Sequence, residues 1–169
     1  MIAIKTGKIT GGGLSAALCL ILLFGASYVP NLKFAFLFAS SIVMGICLLK
    51  YRLGASLVCY IASSALALFI LPNKFIALAF IVLFGNYPIV KLYIERIRKI
   101  FLEYFIKFIF ANVYLFLFYV ALKALGEQAF FDFSIYILYA CGIVLLLFYD
   151  LVFAFVISAF YKSYYKYLK

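Results

Sequence analysis

FGNYPIVKLYIERIRKIFLEYFIK, residues 84–107, opens on the last aromatic residue of an apolar run, breaks at Gly85-Asn86-Tyr87-Pro88, and then carries the densest charge in the chain. Pro88 has no backbone N–H and disfavours helix in the residue before it. Gly85 and Asn86 tolerate unusual backbone angles. After the break, Lys91, Glu95, Lys99, Glu103 and Lys107 recur four apart with alternating sign. On a helix such neighbours meet, each pair adding about 0.2–0.5 kcal/mol, so 90–107 is expected to be one helical stretch. Its apolar residues are Ile89, Leu92, Ile97, Ile100, Phe101 and Phe105. The stretch therefore reads as a basic amphipathic helix at a membrane surface. For the break itself the readings are an apolar helix that ends and bends onto the surface, a broken helix lining a cavity, or a mere kink.

The rest of the chain places this stretch in context. The 169 residues are 70% hydrophobic and 12% charged, more apolar surface than a small soluble domain can bury. Apolar runs near twenty residues recur, each about the length needed to cross a hydrocarbon core of roughly 30 Å as a helix. The alternation of a barrel strand is missing. An all-α membrane protein of one integral domain, 1–169, is expected. Its six transmembrane helices fall at about 10–29, 33–49, 53–71, 75–90, 100–122 and 134–161, with the basic stretch between the fourth and fifth. The dividers are Pro30-Asn31, Lys50-Tyr51-Arg52, Pro72-Asn73-Lys74, the 84–88 break and a longer loop, KALGEQAFFDFS. Lys5 and Lys8 before an apolar run resemble a signal peptide, but the spans that follow favour an uncleaved first helix.

The net charge of +10 sits between the spans, which points to anionic lipid headgroups as partner and away from nucleic acid. With six spans, Lys5, Lys8, Lys50, Arg52, Lys91, Arg96, Arg98, Lys99, Lys107, Lys162, Lys166 and Lys169 fall on one side. Only Lys33, Lys74 and Lys123 fall on the other. The positive-inside rule then puts both termini in the cytoplasm, as in a multi-pass protein of a bacterial cell membrane. Tryptophan is absent, so Tyr161, Tyr164, Tyr165 and Tyr167, interleaved with lysines, are expected to anchor the inner face.

Small residues spaced four apart allow helices to approach closely in lipid. Gly12 and Ala16, Gly13 and Ala17, Ser41 and Gly45, and Ala55, Cys59, Ser63 and Ala67 have this spacing, and Gly142, Asp150, Ala154 and Ser158 share a stripe. Helices one, three and six are the expected packed interior. Cys19, Cys47, Cys59 and Cys141 all lie in apolar runs, none in a C-x-x-C pair, and there is no histidine. No zinc site or disulfide framework is expected, and the cysteines read as small packing residues.

Asp150 is the one acid deep in a span, about 18 Å along the helix from Lys162 and about 24 Å from Ser134. Such a group is costly in lipid and faces protein or water. Its expected partners are Asn112 and Lys107. The two readings are a structural polar contact and a ligand or proton site, to which Tyr114, Tyr119, Ser63 and Ser64 would contribute. No nucleophile–base pair, paired carboxylates or metal-ligand cluster is visible, so no enzyme activity, metal or cofactor is expected.

Six short helices with both ends inside, and the small-residue start GGGLSAAL, resemble the substrate-binding S components of energy-coupling factor transporters. In that family a first helix with spaced alanines docks a membrane coupling subunit; Gly12, Gly13, Ala16 and Ala17 approximate it with glycine in place of alanine. The resemblance implies a small-molecule binding or transport subunit. The stretch FGNYPIVKLYIER also resembles one in uncharacterised small membrane proteins of low-GC Gram-positive bacteria. In size and layout the chain is similar to the rod-shape-determining MreD proteins. That resemblance implies instead a scaffold recruiting a cytoplasmic protein, here through Lys91, Glu95, Lys99 and Glu103 of the basic segment 91–107.

Overall fold

A computed structural model describes residues 2–95, 100–124 and 135–166, all of it helices joined by short turns. In order these are α1 (Ile2–Tyr28), a 3-10 turn (Pro30–Leu32), α2 (Lys33–Ile70), α3 (Lys74–Ala79), a π-helical turn (Phe80–Phe84), α4 (Tyr87–Glu95), α5 (Ile100–Ala124) and α6 (Ile135–Lys166). Among the described residues, five stretches are long and apolar enough to cross a membrane: Thr10–Tyr28, Lys33–Ile70, Lys74–Ile94, Phe101–Ala121 and Tyr139–Lys162.

The sequence predicts six, and the difference lies in α2. Residues on both sides of Arg52 are helical, but Arg52 itself has φ 68° and ψ 176°, outside the helical region, so α2 is two helices joined at a kink. The consequence is a reversal. The Cys59 thiol lies 3.5 Å from the Met44 sulfur, whereas a straight helix would hold residues fifteen apart about 22 Å from each other. Residues 33–51 and 53–70 therefore lie side by side, joined by a single-residue turn at the place marked by Lys50-Tyr51-Arg52.

The chain forms two compact units, Met1–Ile106 and Lys107–Lys169. In the first, α1 runs antiparallel to the first half of α2: Cys19 Sγ donates to the Ser40 carbonyl, and Gly25 sits against the Phe36 ring. Further toward the start of α1, Gly12 approaches Ala55 of the second half. The core holds Cys19, Leu23, Leu37, Met44, Cys47, Ala67, Ile76 and Phe80. The expected stripe on the third span is buried at Cys59, Ser63 and Ala67.

The break after residue 84 is a π turn. The Gly85 amide donates to the Phe80 carbonyl five residues back, at 2.6 Å. A Cβ on Gly85 would lie 2.9 Å from both that carbonyl and Tyr60 Cε2, so only glycine fits. Tyr60 from α2 seals the turn, its hydroxyl donating to the Ile81 carbonyl at 2.8 Å. The Asn86 carbonyl then accepts from the Ile89 and Val90 amides, starting α4 with Pro88 in its first turn, where a missing N–H costs nothing. The fourth apolar stretch thus continues to Ile94 instead of ending near residue 90.

In the second unit, Lys107 meets Asp150, and Gly142 meets Leu115, where a Cβ would lie 2.8 Å from Leu115 Cδ2. As the contact on α5 moves from 107 to 115, its partner on α6 moves from 150 to 142. The two helices are antiparallel and held in one register.

Candidate functional site

The second unit holds a charge pair between the first third of α5 and the middle of α6. Lys107 Nζ donates to Asp150 Oδ2 at 3.0 Å, and the two side chains are only 13% and 15% exposed. Of the two partners expected for Asp150, the geometry selects Lys107. The Asn112 side-chain amide donates instead to the Phe108 carbonyl of its own helix at 2.6 Å, bonding back along α5. Tyr114 is buried and stacks at a tilt on Phe110, with ring centroids 5.9 Å apart. Tyr149 and Phe153 bracket Asp150 on the chain and pack against each other at 5.9 Å, both buried. The low exposure of the two charged side chains strengthens the attraction between them and raises the cost of losing either one. Tyr119 is half-buried.

Ser63 and Ser64 belong to the first unit. Both are buried, and Ser63 donates to the Tyr60 carbonyl at 3.1 Å, again within its own helix. Their hydroxyls lie along the second half of α2, and Asp150 belongs to the second unit.

The basic segment differs from a simple solvated face. Lys91 is 5% exposed, with its ammonium 5.9 Å from the centroid of Tyr87 one turn earlier. At the other end of the ladder Lys107 turns to Asp150. Both terminal lysines are thus drawn inward, because an aromatic face and a carboxylate stand within reach of them. Arg96, Arg98 and Lys99 lie outside the described residues, as does the side chain of Glu95. Glu103 is half-buried on α5.

The small-residue pairs on α1 also divide. Gly12 and Ala16 are buried, and Gly12 faces Ala55. Gly13 and Ala17 are exposed, with nothing within 4 Å of a Cβ at Gly13. One four-residue step is used to pack the unit, and the other faces outward.

A feature the sequence did not reveal lies in the first unit. Cys19, Cys47 and Cys59 are all buried, and the Cys59 thiol lies 3.5 Å from the Met44 sulfur. They come from α1 and both halves of α2, with no common spacing to reveal their shared burial. Only the shared depth of three cysteines in neighbouring runs hints at it. No family model, curated protein or solved structure matches this chain.

Proposed function

We propose that the chain is a multi-pass protein of a bacterial cell membrane, with six spans and both termini in the cytoplasm, that serves as a small-molecule binding or transport subunit. Counting the two halves of α2 separately supports the reading of six spans. Twelve lysines and arginines then fall on one side and three on the other, the asymmetry that sets orientation.

The observation that carries the functional reading is the Lys107–Asp150 pair. Charges at membrane depth are costly, and those that persist mark ligand, ion or proton paths. A ligand bearing a carboxylate or an amine would compete for one member of the pair, and the adjoining aromatic residues would receive its apolar part. The exposed Gly13 and Ala17 step offers a close-approach surface for a membrane coupling subunit, as the S-component resemblance implies. Burial of Lys91 counts against the scaffold reading, in which that lysine would meet a cytoplasmic partner.

The test is purification of the protein alone and together with candidate coupling subunits. The expected result is a stable complex, or a small molecule that co-purifies and raises the melting temperature. If no subunit associates and no small molecule does either, the transport reading fails.

A further inference from the structure

Residues 1–94 carry Lys5, Lys8, Lys33, Lys50, Arg52, Lys74 and Lys91 and not one aspartate or glutamate. Two of these cations have internal uses. Lys74 Nζ donates to the Leu68 and Leu71 carbonyls at 2.6 and 3.1 Å, closing the far end of α2. Lys91 is buried beside the Tyr87 ring. Lys50 and Arg52 differ. Both are exposed at the reversal of α2, and among the described residues neither makes an ion pair. Their counter-charge has to come from outside the described chain.

The turn holds the two cations in place. Tyr51 stands between them, half-buried, with its ring on Gly11 of α1, where any Cβ would run into it. The Lys50 ammonium lies 5.5 Å from the centroid of that ring, within the range of a cation–π contact. Arg52 holds a backbone region that is essentially reserved for glycine. A glycine stands two residues on, at Gly54, exposed and with nothing within 4 Å of a Cβ. The reversal thus keeps an arginine at its strained position with a glycine close by, which points to a use for the side chain.

The surroundings narrow the partner. A guanidinium pairs with phosphate oxygens through two parallel hydrogen bonds. Leu49 and Val58, on either side of the turn, are exposed apolar residues, so the anion has apolar surface beside it. A free phosphate has no use for that surface, whereas the acyl chains of a lipid do. Cations at a membrane surface attract anionic headgroups, and two cations fixed about one tyrosine turn that general attraction into a discrete place.

We propose that Lys50 and Arg52, set about Tyr51 at the reversal of α2, form a binding site for the headgroup phosphate of one anionic phospholipid. The site rests on the membrane location proposed above and not on the transport reading.

The experiment uses the full-length protein in neutral detergent, with bound lipid counted by native mass spectrometry as phosphatidylglycerol is added. The wild type is expected to hold one phosphatidylglycerol at least about tenfold more tightly than phosphatidylcholine with the same acyl chains. Arg52→Gly relieves the backbone and is expected to erase that preference. Lys50→Gln, at an exposed position, is expected to weaken it severalfold. Lys162→Gln removes an exposed charge from the second unit and is expected to leave it unchanged. Phosphatidylglycerol, but not inorganic phosphate at the same concentration, is expected to raise the melting temperature of the wild type. The proposal is overturned if the wild type does not prefer phosphatidylglycerol, or if Arg52→Gly and Lys50→Gln both keep the wild-type preference. It is also overturned if Lys162→Gln weakens binding as far as Arg52→Gly does, which would mean diffuse attraction to the net charge, or if inorganic phosphate stabilises the protein as well as the lipid. These readouts use lipid alone, so their failure is distinct from a failure to bind a small molecule or a coupling subunit.

Discussion

At the scale of single residues, Asp150 decides most. Its partner is a lysine, so its replacements act through charge. Asp150→Asn keeps the shape and an acceptor oxygen but removes the negative charge that faces the largely buried Lys107 ammonium at 3.0 Å. Loss of one member of a buried pair costs on the order of 3 kcal/mol, and a clear fall in melting temperature in detergent is the expected outcome. Asp150→Leu should fall at least as far. The double replacement Lys107→Met with Asp150→Leu removes both charges and should recover most of the stability, since apolar pairs of similar volume replace buried ion pairs at little or no cost. The same double variant separates structure from function. A folded protein that no longer binds its ligand or coupling partner supports the proposed role, and one that still does reduces the pair to a structural contact.

Among the elements, α2 is the most informative. Arg52 occupies a backbone region, φ 68° and ψ 176°, that is essentially reserved for glycine and costs other residues about 1–3 kcal/mol. Arg52→Gly removes that strain but frees the unfolded chain, at about 0.5–1 kcal/mol. The net expectation is a gain of between zero and about 2.5 kcal/mol, read as a higher melting temperature. Arg52→Val, with a branched Cβ at positive φ, should lower it. Equal stabilities for the glycine and valine variants would contradict the turn. The position of this reversal was legible in the sequence, because Lys50-Tyr51-Arg52 interrupts an apolar run twice too long for one crossing. Its tightness was not, since nothing in those three letters shows a turn of one residue. Likewise Pro88 and Gly85 announced a break, but the π turn depends on the Tyr60 ring and hydroxyl, which arrive from another helix.

For the molecule as a whole, charge asymmetry gives a direct expectation. Single cysteines replacing Arg52 or Lys162 in a background without native cysteines should react with impermeant maleimide only from the cytoplasmic side. Those replacing Lys74 or Lys123 should react only from outside. Strong labelling of position 123 from the cytoplasm would overturn the six-span arrangement. Apolar helices of membrane-crossing length were readable because that length follows from composition and the thickness of a bilayer. What each helix turns toward its neighbours was readable only in part. The Ala55–Ala67 spacing marked a buried face correctly at Cys59, Ser63 and Ala67. The Lys91–Lys107 ladder suggested a single face, yet its two ends turn inward because Tyr87 and Asp150 lie within reach. Cys19, Cys47 and Cys59 carry no mutual spacing, so their shared burial on three helical segments shows only in the structure.

The turn at Arg52 also bears on how the protein is made. A one-residue connection provides no slack between residues 33–51 and 53–70. The first half buries Ser40, Ser41 and Cys47 in a unit completed only when the second half arrives. A nascent chain cut off near residue 52 would offer these groups to the insertion machinery or to lipid, so the two halves are best threaded into the bilayer as one ready-folded hairpin. Biogenesis of this region would then be an all-or-none event, with truncations inside the second half degraded instead of inserted.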